Sequence, residues 1–151
     1  AESSQRSMGA LPGDLKEKFA VFASPFYDKL DEILPAQDIR LLREKAMFDC
    51  IPVNYVRGSN WNDTIVIIDE AQNFSYSELL TVLTRIGENS KIIICGDAMQ
   101  SDINNSGFSN IFNIFNDEDS QSNGVVCKQF TTEDIKRSKI VRFIVSKLEK
   151  N

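Results

Sequence analysis

The segment Thr64-Ile65-Val66-Ile67-Ile68-Asp69-Glu70-Ala71-Gln72 is the strongest indication of the architecture. Its four consecutive β-branched apolar residues are typical of a strand that is buried in a parallel sheet. Two adjacent carboxylates, those of Asp69 and Glu70, follow this run at once. Ligands bind at the carboxyl ends of the strands in open α/β sheets. The segment therefore predicts a strand that delivers two acids to a nucleotide and metal site.

The sequence that follows repeats the strand signature after one helix. Ser75 and Glu78 match a capping box, which predicts a helix start near Ser75, and Gly87 supplies the expected stop. Residues 91–95 form a second apolar run that leads into Gly96-Asp97-Ala98-Met99-Gln100. The predicted class is therefore α/β, with a parallel sheet flanked by helices. The apolar stripe expected on the buried face of the helix consists of Leu79, Val82, Leu83 and Ile86.

The remaining segments predict further helices and two short strands. A helix that begins at Asp14 is expected to be interrupted at Pro25. The two helices after it are predicted over residues 26–34 and 38–48, so residues 1–50 form a helical insertion ahead of a core at 51–151. Short strands are predicted at 51–56 and 125–130, with a loop at 57–60. A final amphipathic helix is expected to face inward with Ile140, Val141, Ile144, Val145 and Leu148.

Composition restricts the chemistry. A chain of 151 residues with 42% apolar content fits one domain, and a net charge of −5 argues against a general electrostatic coat for nucleic acid. The absence of histidine excludes imidazole catalysis and histidine-ligated metal in this chain. Cys50, Cys95 and Cys127 are expected to be reduced, buried thiols. No run is long enough for a membrane span, so a cytoplasmic protein without membrane contact is expected.

The adjacent acids allow more than one interpretation. Neighbouring side chains on a strand point to opposite sides, so one acid could hold metal while the other activates water. In P-loop ATPases the aspartate of such a pair orients Mg²⁺ and the glutamate polarises the attacking water. The structural alternative is that both acids decorate an exposed loop. A metal nuclease is a third interpretation, and it would use Asp69, Glu70, Asp97 and Asp102.

Five motifs resemble those of PhoH-like ATPases in order and spacing. The resemblance covers residues 8–148 and extends to residues 133–141, which are similar to the arginine-bearing segment that ends the family domain. The chain also resembles phage-encoded members, which would place it in a host cytoplasm. The five motifs are Leu11-Pro-Gly-Asp14, Tyr55-Val-Arg-Gly58, Ile67-Ile-Asp-Glu-Ala-Gln-Asn73, Leu83-Thr-Arg-Ile-Gly87 and Gly96-Asp-Ala-Met-Gln100.

This resemblance implies a RecA-like P-loop NTPase core that binds ATP with Mg²⁺ and has a role in RNA metabolism. It implies that Asp69 orients the metal and that Glu70 is the general base. Gln100 would be the γ-phosphate sensor. Arg137 would contact phosphate from the same or a neighbouring subunit, and a hexameric homo-oligomer would suit that contact. The alternative for Arg137 is a solvated helix start.

The resemblance also implies a nucleic-acid contact ahead of the core strand. Arg57 would touch RNA or another single strand, and Gly58 would let the sugar-phosphate backbone approach closely. Trp61 could stack on a base or anchor the core, and packing is the more common role of a lone tryptophan. Arg85 could contact phosphate or pair with a neighbouring glutamate.

The chain departs from the family pattern because it contains no G-x-x-x-x-G-K-[ST] loop to cradle phosphates. We therefore expect the distal part of a single ATPase domain, incomplete at the N-terminus and inactive alone. The phosphate-binding loop would come from a missing upstream segment or from a partner chain. The alternative function is a non-catalytic nucleotide- or protein-binding module derived from the same fold.

Overall fold

A computed structural model of the protein describes residues 15–134, 136 and 138–148. These residues form six α-helices and two β-strands, joined by loops and short 3₁₀ turns. Asp14, and with it the predicted helix start, lies outside the described residues. In chain order the elements are α1 (Leu15–Ile33), α2 (Ala36–Glu44), β1 (Ile65–Ile68), α3 (Tyr76–Leu83), β2 (Lys91–Ile94), α4 (Phe108–Phe115), α5 (Glu118–Ser122) and α6 (Lys139–Leu148).

The two strands lie side by side and parallel, and α3 is the crossover between them. Their register pairs Ile65 with Lys91 and Ile68 with Ile94. The Cys95 N–H continues the ladder by donating to the Ile68 carbonyl at 2.8 Å. A strand, a helix and a parallel strand confirm the predicted α/β class.

The part of the chain that the structure describes covers only one face of the sheet. Successive strand residues point to opposite faces, and on β1 the side chain of Ile68 is buried. On the other face Ile65 is 69% exposed, Ile67 is 51% exposed and Ile93 of β2 is 42% exposed. The prediction that β1 is buried is therefore correct for one face and wrong for the other.

Helix α3 begins with the predicted capping box. The Glu78 N–H donates to Ser75 Oγ, and Ser75 N–H donates to Glu78 Oε2 at 2.8 Å. Leu79 and Val82 are buried as expected. Ile86 is not part of the buried stripe, because the helix ends at Leu83 and Ile86 instead forms an isolated β-bridge with Trp61.

The first two helices differ from their predicted limits. Helix α1 runs through Pro25 without interruption and ends two residues before Pro35. A proline inside a helix removes one backbone hydrogen bond but does not oblige the helix to stop when neighbouring bonds persist. Helix α2 starts directly after Pro35 and ends at Glu44, short of the predicted limit at residue 48.

Neither of the two additional predicted strands forms. Residues 53–55 are a 3₁₀ turn after Pro52, and the Val56 N–H donates to the Val53 carbonyl at 3.3 Å. Val53 and Val56 are both buried, so the apolar residues follow the three-residue period of a 3₁₀ turn. Residues 125–130 are irregular, and Val126 and Phe130 are largely exposed.

The chain divides into two compact units, with the boundary between Ile111 and Phe112. In the second unit, the stripe of α6 is not turned inward as predicted, since Ile140, Ile144 and Leu148 are exposed. All three cysteines are free thiols, and Cys95 is exposed, contrary to the expectation of burial. Within the described ranges, no helix has the length and apolarity that crossing a membrane requires.

Candidate functional site

Asp69, the predicted metal ligand, and Glu70, the predicted general base, lie just beyond the end of β1. The backbone leaves the strand at Glu70, whose φ of 56° and ψ of 39° place it in the left-handed region. A 3₁₀ turn over Ala71–Asn73 follows, and the Ala71 N–H donates to the Cys95 carbonyl at 2.9 Å. Asp69 and Glu70 therefore do not alternate along a strand as predicted, because β1 ends at Ile68 and the chain turns at Glu70.

Asp69 presents its carboxylate to solvent. Its side chain is exposed and makes no hydrogen bond or ion pair with any residue that the structure describes. A single available carboxylate fits Mg²⁺, which proteins commonly hold through one or two carboxylates together with water and phosphate oxygens. No group of three or more Asp, Glu, Cys or His within the described ranges is arranged to hold a metal ion unaided.

Gln72 connects the two strand ends through its side chain. It is 1% exposed, and its Nε2 donates to Glu70 Oε2 at 2.6 Å. Its Oε1 accepts from the Asp97 N–H at 2.9 Å. A carboxylate only accepts and a backbone N–H only donates, so these partners fix the orientation of the amide. The sequence assigns Gln72 no role, although it lies two residues after Glu70, the predicted general base.

The loop after β2 carries the second half of the site. Asp97 Oδ1 accepts from the Met99 N–H at 3.0 Å, and Asp97 Oδ2 accepts from Gln100 Nε2 at 2.7 Å. Gly96 packs against Gln72, since a Cβ at position 96 would lie 3.0 Å from Gln72 Oε1 and 3.1 Å from Gln72 N. Only a residue without a side chain fits there without displacing its neighbours.

The structure thus brings the predicted base and the predicted sensor to one edge of the sheet. Glu70 bonds to Gln72, Gln72 bonds to the backbone of Asp97, and the side chain of Asp97 bonds to Gln100. Parallel strands end on the same side, which explains why polar residues separated by a whole helix meet. Arg137 lies outside the described residues.

Arg57 lies in a different part of the first unit. It is exposed and lines an open pocket of about 370 Å³. Gly58 has a φ of 82°, and a Cβ added there would meet no atom within 4 Å. The space around this glycine is open, as a close approach by a ligand backbone would require. The other residues that line the pocket are Val53, Asn54, Ser77, Glu78 and Thr81.

Trp61 and Arg85, which each had two possible roles, both make local contacts. Trp61 is half-buried, and its backbone N–H donates to the Arg85 carbonyl at 2.9 Å. Arg85 Nε donates to the Thr81 carbonyl at 3.2 Å, and its Nη2 donates to Thr84 Oγ1 at 3.2 Å. Arg85 thus caps the end of its own helix.

Sequence comparison gives one family and several relatives. The family model described as PhoH-like protein matches residues 1–149. A PhoH-like protein of Synechocystis sp. is 36% identical over 147 residues, which are 95% of this chain and 44% of the relative. Protein PhoH of Escherichia coli K12 is 38% identical over 136 residues, 87% of this chain and 37% of the relative.

A PhoH-like protein of Bacillus subtilis is 43% identical over 97 residues, which are 64% of this chain and 30% of the relative. The chain therefore spans less than half the length of these relatives. The match nevertheless covers nearly all of its own residues, including both loops of the site. The chain belongs to the PhoH-like protein family.

Proposed function

We propose that this chain is part of a PhoH-like ATPase that binds and hydrolyses ATP with Mg²⁺ and couples this reaction to RNA or other single-stranded nucleic acid. The observation that carries the proposal is the Gln72 bridge. It joins Glu70 at the end of one parallel strand to the loop of Gln100 at the end of the next. An acid and an amide held at this edge suit water activation beside a phosphate.

The proposed roles follow from the chemistry of each side chain. Asp69, exposed and available, would hold Mg²⁺, which supplies charge neutralisation on the phosphate oxygens when it is bound. Glu70 would accept the proton of the attacking water. Gln100 would sense the terminal phosphate through its amide. Arg137 would contribute a cation to the phosphates from the same chain or from a neighbouring copy in a homo-oligomer such as a hexamer.

The phosphate cradle is proposed to come from polypeptide outside this sequence, either joined to it or carried by a partner chain. These 151 residues contain no G-x-x-x-x-G-K-[ST] loop. The exposed apolar face formed by Ile65, Ile67 and Ile93 supports this proposal, since an uncovered face of this kind is unusual in a sheet with parallel strands.

Arg57 is proposed to contact the phosphate backbone of a single strand. Its guanidinium is exposed at the rim of an open pocket, and Gly58 leaves space for a close approach. Asn54 lines the same pocket and offers an amide to a base edge. A local site of this kind is compatible with the net charge of −5.

The test uses Glu70→Gln in a polypeptide or complex that also carries the phosphate-binding loop. We expect Mg²⁺-dependent ATP hydrolysis to fall by about 100-fold or more, because general-base catalysis contributes that much. The affinity for ATP should be retained, and Glu118→Gln, at an exposed glutamate of α5, is the matched control.

Hydrolysis that persists in Glu70→Gln would remove Glu70 as the base. An unmodified complex that binds ATP but never turns it over would favour the alternative, a non-catalytic nucleotide- or protein-binding module. RNA cleavage without any nucleotide would instead favour the metal nuclease.

A further inference from the structure

The side chain of Gln72 is the most completely buried polar group at the site, and the proposed reaction assigns it no role. Only 1% of it is exposed, and both ends of its amide are hydrogen bonded. A buried amide that loses a partner is left unsatisfied, which is costly. Its two partners are therefore held firmly in relation to each other.

We propose that Gln72 is the positioning residue for Glu70, and that it makes the placement of the base depend on the loop that carries Gln100. This inference rests on the proposed ATPase function. Gln72 itself does not touch the reacting atoms; it acts through the carboxylate that its Nε2 holds at 2.6 Å.

The backbone of Glu70 makes such a support useful. Its left-handed conformation, with a φ of 56°, is one that residues with a Cβ rarely adopt. A carboxylate on a short turn beyond a strand end has several rotamers available. The Gln72 amide selects one of them by a charge-assisted hydrogen bond.

The connection to the sensor loop runs through Asp97. The Asp97 N–H is the donor to Gln72 Oε1, and the Asp97 carboxylate accepts from the amide of Gln100. A movement of Gln100 towards a phosphate would break its bond to the Asp97 carboxylate and shift Asp97. The shifted Asp97 N–H would move the Gln72 amide, and the amide would move the Glu70 carboxylate. The position of the base would thus depend on the position of the loop.

Two further contacts join Gln72 to the loop after β2. Gly96 lets the loop approach the amide closely, as a Cβ at position 96 would lie 3.0 Å from Gln72 Oε1. On the backbone side, Ser101 Oγ donates to the Gln72 carbonyl at 3.0 Å. The loop that carries Gln100 therefore contacts both the side chain and the backbone of Gln72.

The experiment separates the two hydrogen bonds of Gln72 in the ATPase that carries the phosphate-binding loop. Gln72→Glu keeps an acceptor for the Asp97 N–H and, at a pH high enough to ionise the new carboxyl group, cannot donate to Glu70, whereas Gln72→Met removes both bonds. We expect Gln72→Glu to lower kcat at least tenfold while KM for ATP stays within about threefold. Gln37→Met, at an exposed glutamine of α2, is the control for a loss of amide chemistry elsewhere.

A role limited to anchoring the loop predicts a different result, namely that Gln72→Glu keeps kcat within threefold of the unmodified enzyme and only Gln72→Met is impaired. That outcome would overturn the inference. If Gln72→Met fails to fold, Gln72→Glu alone decides. Hydrolysis that is lost in Glu70→Gln but normal in Gln72→Glu defeats this inference and leaves the proposed function standing, whereas an unmodified enzyme without turnover defeats both.

Discussion

At the scale of single residues, the three cysteines differ in how far their thiols are shielded. Cys95 is exposed, whereas Cys50 and Cys127 are half-buried. The pKa of the Cys50 thiol is raised above its ordinary value, first by burial and then by the Asp49 carboxylate. Both effects disfavour the thiolate, which is the reactive form.

We therefore predict that Cys50 is alkylated more slowly than Cys95 near neutral pH. Because its pKa is raised, the thiolate of Cys50 accumulates only at a higher pH than usual, and its alkylation rate should still be rising above pH 9. Peptide mass mapping after timed treatment with iodoacetamide measures both rates. Asp49→Asn removes the nearby charge and should accelerate the alkylation of Cys50. An unchanged rate in that variant would contradict the contribution of Asp49 to the raised pKa.

Only some residues of the candidate site could be predicted from the sequence. Two acids directly after an apolar strand predict a ligand edge at Asp69 and Glu70, whereas the role of Gln100 is implied by the family resemblance. The role of Gln72 was not predicted, since it depends on which side chain fills the space between two loops. That space is decided by the absent side chain of Gly96 and the left-handed turn at Glu70, neither of which local spacing reveals.

At the scale of elements, the end of α2 contains a residue that does not suit its backbone. Ala46 has a φ of 48° just after the C-cap Lys45. Its N–H donates to the Arg43 carbonyl at 3.1 Å, and the Met47 N–H donates to the Leu42 carbonyl at 2.9 Å. These are the two bonds of a Schellman motif, in which glycine is the preferred residue at this position.

Ala46→Gly is therefore predicted to stabilise the protein by about 1 kcal/mol, because it removes the steric cost of the left-handed conformation. Thermal or urea unfolding followed by circular dichroism measures the change. Arg40→Gly, at an exposed position inside the same helix, is the control and should destabilise by about 1 kcal/mol, since glycine is a poor helix former there. Equal losses in both variants would show that Ala46 is not strained in solution.

Elements with a strong local pattern or start signal were predicted best, whereas the stop expected at Gly87 is wrong, because α3 ends at Leu83. Residues 65–68 and the start of α3 at the capping box were predicted as they form, since four apolar residues and a serine-glutamate pair act locally. Residues 51–56 were assigned the wrong element, because Ile51, Val53 and Tyr55 alternate as in a strand over so few residues, whereas the buried pair, Val53 and Val56, follows a period of three. Packing of the two valines, not propensity, decides that case.

At the scale of the whole molecule, the two faces of the sheet have opposite environments. Ile67 and Ile68 are adjacent in β1 and chemically identical, yet the first is 51% exposed and the second is 6% exposed. Substitutions at this pair therefore compare the two faces within one strand, with the same loss of β-propensity at both positions.

Ile68→Ala is predicted to lower the free energy of unfolding by about 2–4 kcal/mol, because it leaves a cavity in the core. Ile67→Ala should cost about 1 kcal/mol or less and should reduce binding of a hydrophobic dye to the exposed face. Denaturant unfolding and dye titration of both variants measure these effects. A similar loss at the two positions would indicate that the outer face is covered in solution.

The parallel register of the sheet also has a consequence for synthesis on the ribosome. The partner of Ile65 is Lys91, and the whole of α3 lies between them in the chain. No ladder hydrogen bond of β1 to β2 can form until the later strand has emerged, so the apolar run of β1 must wait unpaired while α3, capped by its own serine and glutamate, can already coil. Pairing of β1 with β2 therefore begins only after the whole crossover helix has been synthesised.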